Sequence, residues 1–222
     1  MTVDYPIAVE DYVKSIYAHT EWQPRHITTS ELAARLGLAA SSVTEMVKKL
    51  VAQGLVRHEP YGAVELTPDG TALALRMIRR HRLIETWLAR DFAYSWDEVH
   101  DEAEVLEHAL SDRLLDAIDE RLGHPVRDPH GDPIPARDGT VVLPSAILLA
   151  DAPEGAKGKI VRISDRDPLL LRHFEAEGIA VDEELTVLGR APFGGGFHVR
   201  LTRAGSEHDL GDVALASIWI ER

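Results

Sequence analysis

Apolar positions recur at helical spacing through the first half of the chain and switch to a two-residue period in its last part. Over residues 6–20 (PIAVEDYVKSIYAHT), Ile7, Tyr12, Val13, Ile16 and Tyr17 fall near one helical stripe, and Pro6 suits a first turn. Thr28-Thr29-Ser30 is an N-cap cluster for ELAARL, which Gly37 stops. In AASSVTEMVKKLVAQG, Ser41 or Ser42 is placed to cap a longer helix, Glu45 stands at capping-box distance from Ser42, and Gly54 ends it. GLVRHEPYGAVELTPDG alternates apolar and polar residues on both sides of Pro60-Tyr61-Gly62, the pattern of a two-stranded hairpin. Helix, short helix, turn, longer helix and hairpin predict a winged helix-turn-helix over residues 1–70.

Two longer amphipathic helices are predicted over 71–93 and 97–122, making a helical domain over 71–125 that Gly123-His124-Pro125 stops. Residues 126–154 are rich in proline and glycine (VRDPHGDPIPARDG) and carry one small apolar patch, VVLPSAILLA; they predict a linker with one short element. Within 155–222, GKIVRIS, ELTVLGRA, FHVRLTRA and VALASIWIE read as strands and LLLRHFEAEG as a short helix. A small SH3-like β-barrel fits this pattern. The fold class is mainly α with a small β portion.

Composition narrows the function. A chain of 222 residues, 45% hydrophobic, builds packed domains rather than a disordered chain. The absence of cysteine removes disulfides, thiolate metal sites and cysteine nucleophiles. No uncharged apolar run reaches the roughly 18 residues of a membrane span, and MTVDYPIAVEDY lacks the pattern of a secretory leader; a cytoplasmic protein with no membrane partner is expected. The net charge of −13 speaks against a nucleic-acid partner when taken whole. By segment, residues 1–70 hold 6 basic and 9 acidic side chains, and residues 71–125 hold 7 and 12. The acid is thus densest in the helical middle, together with histidines, where a cation site is to be sought.

His81 and Glu85 stand four residues apart on the first long helix, beside Ile78 and Leu88. On the second, His100, Glu104, Glu107 and His108 fall within one stripe if the helix is continuous, bordering Val99, Ala103, Leu106 and Leu110. One such pair is ordinarily a solvated face. Six imidazoles and carboxylates beside apolar faces are costly to bury unpaired, and a divalent cation offsets that cost. Hydrolase motifs are missing: HExxH is absent, residue 104 is Glu where the inverted motif needs His, and residue 105 is Val where a di-iron helix needs Glu. No nucleophile is evident, so sensing is favoured over turnover, with a metalloenzyme as the alternative from another class.

With EDY near its start, ELAARLGLAASSVTEMVKKLVAQGLV, RRHRLIE, VHDEAEVLEH and the terminal β-rich segment, the chain resembles the diphtheria toxin repressor family of metal-dependent transcriptional regulators. The resemblance implies a winged-helix DNA-binding domain, a helical dimerisation and metal-binding domain, and an SH3-like domain. It implies a homodimer that binds a double-stranded DNA operator when a divalent ion activates it. It places one metal site at His81, Glu85 and His100, and another at Asp11, Glu104, Glu107 and His108. Iron-responsive members carry Met and Cys at the positions of Asp11 and Glu104, whereas the manganese-responsive branch has oxygen ligands there, as here. Mn²⁺ stands at the weak end of the Irving–Williams order and is favoured by oxygen-rich sites of high coordination number. Mn²⁺, at two or more ions per subunit, is therefore the expected cofactor; Fe²⁺ or another divalent ion is the alternative. Some members add a ligand from the C-terminal domain, for which Asp165 or Asp167 in ISDRDP is the counterpart.

For DNA, Ser41, Ser42, Thr44, Lys48 and Lys49 lie on the predicted recognition helix and Arg57 and Tyr61 on the wing. Their contacts are expected to go mostly to phosphates, with Ser41 and Ser42 acting as helix caps in the competing reading. Gly194-Gly195-Gly196 lacks the following helix and Lys-Ser/Thr of a phosphate loop and predicts a β-turn.

Overall fold

The computed structural model describes residues 5–23, 25–59, 62–190 and 195–221. The chain forms two compact units, one of residues 1–81 with 135–140, the other of residues 82–134 with 141–222.

The first unit holds helices α1 (Ile7–Thr20), α2 (Thr29–Leu36) and α3 (Ala40–Ala52), then the antiparallel hairpin β1 (Val56–His58) and β2 (Val64–Leu66). It ends in the first part of the long helix α4 (Pro68–Phe92). Val9, Val13 and Ile16 of α1, Leu32 of α2, and Val43, Val47 and Leu50 of α3 recur every three or four residues and meet in one buried cluster with Ile27, Leu55 and Val64. Thr28 and Glu31 form the capping box of α2: the Glu31 amide donates to Thr28 Oγ1 at 3.2 Å and the Thr28 amide to Glu31 Oε2 at 2.9 Å. The capping box expected at Ser42 and Glu45 does not form. Ala39 is the N-cap of α3 and makes no side-chain cap, both serines lie inside the first turn and are exposed, and Glu45 instead accepts from Lys48 at 2.8 Å. The helix starts two or three residues earlier than its serines suggest.

The second unit continues along α4 into α5 (Val99–Leu106) and α6 (Asp112–Leu122). The single helix expected over 97–122 is broken: Glu107 is the C-cap of α5, and Ser111 caps α6 by accepting from the Leu114 amide at 3.3 Å. A serine that satisfies an orphan N–H of a new helix competes with continuing the old one. Leu83, Ile84 and Leu88 of α4 pack with Val99, Ala103, Leu115, Ile118 and Leu122.

Strands β3 (Ala146–Leu148), β4 (Lys157–Ile163), β5 (Glu184–Arg190), β6 (Phe197–Leu201), β7 (Glu207–Leu210) and β8 (Ile218–Glu221) form one antiparallel sheet in the order β3-β8-β4-β5-β6-β7. Helices α7 (Pro168–Ala176) and α8 (Asp212–Leu215) bring Leu171, Phe174 and Leu215 into its core. Bulges after Ile160 and after Val187 bend it, but among the described residues no pairing joins β3 to β7. The domain is an SH3-like sheet rather than the closed barrel expected. VALASIWIE is not one strand, because Asp212–Leu215 turns into α8 before β8 begins, and the edge strand β7, whose burial does not alternate cleanly, went unread.

Within residues 126–154, the stretch over 128–135 is not the loose tether that its composition suggests. Asp128, His130, Asp132 and Ile134 are all buried. A turn over 128–132 is closed by Asp128 N donating to Asp132 O at 3.0 Å, and it docks on β4 through Ile163 N to His130 O at 2.9 Å. Gly131 makes this docking possible. Its φ is +90°, and a Cβ there would sit 2.0 Å from the Val161 carbonyl oxygen. Gly131→Ala is therefore expected to destabilise the protein by about 3 kcal/mol, through strain plus displacement of the turn. A denaturant midpoint unchanged from wild type would refute that account.

Candidate metal centre

Glu85 lies on the second unit's stretch of α4 and is 1% exposed. Its Oε1 is 3.4 Å from His100 Nδ1, and Asp165 Oδ2 approaches the same nitrogen at 3.5 Å. His100 Nε2 lies 3.7 Å from Glu104 Oε1, one turn further along α5. Glu85, His100 and Asp165 each bring one ligand atom to within 4.8 Å of the others. Between the two aspartates considered in ISDRDP the structure separates the roles. Asp167 caps α7, accepting from the amides of Leu169 and Leu170 at 2.9 and 3.2 Å, while Asp165 faces His100.

Glu85 also belongs to a second group, with Asp128 and His130, whose ligand atoms lie within the same 4.8 Å of one another and whose three residues are all buried. These two donors were missed in the sequence, where Asp128-Pro129-His130-Gly131-Asp132 counted only as proline and glycine punctuation. A histidine bracketed by two aspartates around a glycine was the available signal. His130 Nε2 lies 3.1 Å from the Trp96 carbonyl oxygen. A carbonyl only accepts, so Nε2 carries the proton and Nδ1 presents a lone pair. That Nδ1 is buried and has no hydrogen-bond partner. Asp128 Oδ1 accepts from the amides of His130 and Asp132, both at 2.9 Å, which fixes the carboxylate from behind.

The electrostatics agree with a missing positive charge. Burial first, then the neighbouring carboxylates Asp132 and Glu85, push the Asp128 carboxyl well above the ordinary range, against the pull of Arg82. Burial also opposes ionisation of Asp165, but the charge that His100 carries when protonated, with Arg162, outweighs it and holds that carboxyl below its usual value. A buried imidazole nitrogen without a partner, beside three carboxylates, is costly unless a cation joins them. The donor set fits a hard divalent ion: oxygen and imidazole only, with no sulfur.

The other expected residues are placed as follows. Glu107 is fully buried at the end of α5, with Oε1 3.4 Å from His108 Nε2. The helix break puts His108 in the turn beyond α5, off the continuous stripe expected of it. Asp11 (half-buried on α1) and His81 (buried on α4) belong to the first unit, where Lys14 Nζ is 3.5 Å from His81 Nδ1. On α3, Ser41, Ser42, Thr44, Lys48 and Lys49 are all exposed, as is Arg57 on β1. The Thr44 hydroxyl donates to Ala40 O at 2.8 Å and retains accepting capacity. Tyr61 and Gly194 lie outside the described residues.

An exposed polar helix α3 followed by the β1–β2 hairpin, together with a histidine–carboxylate cluster whose donors suit a divalent ion, are the features of a winged-helix DNA-binding protein that also binds metal. Comparison with known proteins agrees. The chain matches the N-terminal DNA binding domain of iron dependent repressors over residues 7–64, their metal binding and dimerisation domain over 67–136, and a FeoA domain over 147–222. It is 29% identical to the diphtheria toxin repressor of Corynebacterium glutamicum over 96% of this chain and 95% of that protein. It is 34% identical to the transcriptional regulator MntR of Bacillus pumilus over 50% of this chain and 76% of that one. The solved structure of a manganese-dependent transcriptional repressor in complex with manganese superposes with a TM-score of 0.92 at 49% identity, covering 96% of this chain and 99% of that one. The chain belongs to the iron-dependent repressor family of metal-dependent transcriptional repressors, the diphtheria toxin repressor family, whose members are DNA-binding regulators and not enzymes. Among the described residues no helix is long and apolar enough to cross a membrane.

Proposed function

We propose that this protein is a manganese-activated repressor that binds its operator as a homodimer and controls metal uptake genes. The observation that carries the reading is the oxygen-rich, sulfur-free donor set around Glu85, with His130 Nδ1 buried and unpartnered in its midst. In this reading Glu85, Asp128, His130 and Asp165, with His100 beside them, hold one ion. Glu104, Glu107 and His108 contribute to a second, to which the family resemblance adds Asp11; His81 is carried over in the same way. The ion supplies positive charge to carboxylates that otherwise repel one another. The protein's side chains do the rest: Asp128 and His130 tie the turn over 128–132 to α4, and Asp165 ties the sheet domain to α5. A ligand shifts a conformational equilibrium only by binding one state more tightly, and donors drawn from several segments provide that difference. Manganese dependence in the structurally similar repressor supports the choice of metal.

Phe92, Val105 and Leu114 leave α4, α5 and α6 exposed at 55%, 69% and 43%, which supports a dimer through the helical domain. Two-fold symmetry then sets two α3 helices on successive major-groove turns of a pseudo-palindrome. Operator binding by the metal-stripped protein, titrated with Mn²⁺, Fe²⁺ (anaerobically) and Zn²⁺, tests the whole reading. Activation by Mn²⁺ at the lowest free concentration relative to its competitors in the cell is expected, and DNA binding indifferent to every metal would end it. On the DNA side, Lys49→Ala is expected to weaken binding to all sequences about equally and to reduce the salt slope by about 1, as the loss of one phosphate contact does. A change in sequence preference instead would make Lys49 a base reader.

A further inference from the structure

Beneath the donors lies a buried charged group that none of the proposed ligands includes. Asp132, whose side chain is 5% exposed, stands between two guanidinium groups. Arg162 Nε donates to Asp132 Oδ1 at 2.7 Å, and Arg82 Nη2 lies 3.5 Å from the same oxygen. Arg82 Nη1 also donates to the Pro133 carbonyl at 2.6 Å, and Arg82 Nε is 3.6 Å from Asp128 Oδ2. The Arg162 guanidinium lies 4.2 Å from the centroid of the Trp219 ring, which holds it on the sheet between β4 and β8.

The sequence positions of these three residues are informative. Arg82 precedes Glu85 by three residues on α4, Asp132 follows His130 by two, and Arg162 precedes Asp165 by three at the end of β4. Every segment that brings a donor to the Glu85 cluster, apart from α5, is thus fastened to Asp132 within one helical turn or a few residues of that donor. A buried ion network is weak evidence of a stabilising role, since well-packed apolar residues do that as well. It does fix relative positions, because a planar guanidinium fork admits few geometries.

We propose that Asp132, clamped by Arg82 and Arg162, is a positioning unit that sets Asp165 of the sheet domain and Asp128 and His130 of the turn against Glu85, and so tunes the affinity of the metal site. The inference rests on the assignment of that cluster as a metal site. Removing the Asp132 charge acts twice: it loosens the fastening, and it leaves two guanidinium charges uncompensated next to the ion's position. Both effects weaken cation binding, while the donor set stays complete.

The test is Mn²⁺ titration calorimetry on the full chain, in a His108→Ala background that silences the other proposed position, with melting of the metal-free protein measured alongside. Asp132→Asn keeps the shape and the acceptor oxygen, and it is expected to lower Mn²⁺ affinity by about 10- to 100-fold, the range typical of residues that support metal ligands. The metal-free melting temperature is expected to fall as well, because two buried guanidinium groups lose their counter-charge, so Mn²⁺ affinity is the deciding readout. Arg162→Lys, which keeps the charge but not the fork, is expected to lose affinity in the same direction and carries the test if Asp132→Asn does not fold. Glu85→Ala is the control: if it binds Mn²⁺ like the parent, the site assignment fails and the proposal with it. If Glu85→Ala loses binding while Asp132→Asn, or in its place Arg162→Lys, keeps parental affinity, the positioning role alone is overturned. A lower metal-free melting temperature with unchanged affinity overturns it too.

Discussion

Glu85→Ala is expected to lower Mn²⁺ affinity more than about 100-fold and to abolish metal-dependent operator binding, a larger effect than loss of a residue that merely supports a ligand. Glu85 is the one residue shared by these two donor groups, and at 1% exposure it is closed off from solvent. The variant should nevertheless fold. Glu85 is among the charges that push the Asp128 carboxyl up, so its removal relieves repulsion in the metal-free protein. A melting experiment separates the two consequences. In a His108→Ala background, which leaves this site alone to be filled, free metal at 100 times its dissociation constant adds about 2.7 kcal/mol of stability, whereas Glu85→Ala in the same background should show almost none of it. Retention of the full metal-induced shift would remove Glu85 from the site.

The second large effect concerns selectivity. Asp11→Met with Glu104→Cys recreates the donors that the resemblance assigns to iron-responsive members. Two anionic oxygens are exchanged for two softer sulfurs, one neutral and one thiolate when metal-bound. Mn²⁺ depends most on charge and coordination number and gains least from covalency, so it should lose more than Fe²⁺ or Co²⁺. The double variant is expected to need at least about tenfold more Mn²⁺ for operator binding while keeping a response to Fe²⁺ or Co²⁺. Parallel titrations, anaerobic for Fe²⁺, measure the ratio. If the ratio of Mn²⁺ to Fe²⁺ activation does not change, these two positions do not choose the metal.

How much was legible in the sequence follows from how local each cause is. The N-cap at Thr28, the stop at Gly37 and the β1–β2 hairpin are set by residues within one or two turns of one another and are present as read, and of the α1 stripe Tyr12, Val13 and Ile16 are buried while Ile7 is exposed. Where two local signals competed, the reading failed. Glu45 stands at capping-box distance from Ser42, yet Ala39 is the N-cap of α3, and Ser111, inside the single helix expected over 97–122, caps a new one. The donors on the helices, Glu85, His100, Glu104 and Glu107, were visible because helical spacing brings them near an apolar face whatever the rest of the chain does.

The remaining donors depended on contacts far along the chain. Asp165 and Asp167 are equivalent by composition and spacing; only the start of α7, which draws Asp167 into capping its amides, leaves Asp165 to face His100. Asp128 and His130 sit in a stretch whose prolines and glycines read as a tether. They become buried donors because Gly131 lets the turn approach the Val161 carbonyl, because the Ile163 amide donates to His130 O, and because the Trp96 carbonyl accepts a hydrogen bond from His130 Nε2–H. The sequence by itself determined the helical frame, the family and a carboxylate–imidazole chemistry without sulfur, since those rest on residue identity and short-range period. Only tertiary structure decided which polar residues of a proline-rich segment turn inward, because burial there is set by a strand some 30 residues away along the chain, beyond the reach of any local pattern.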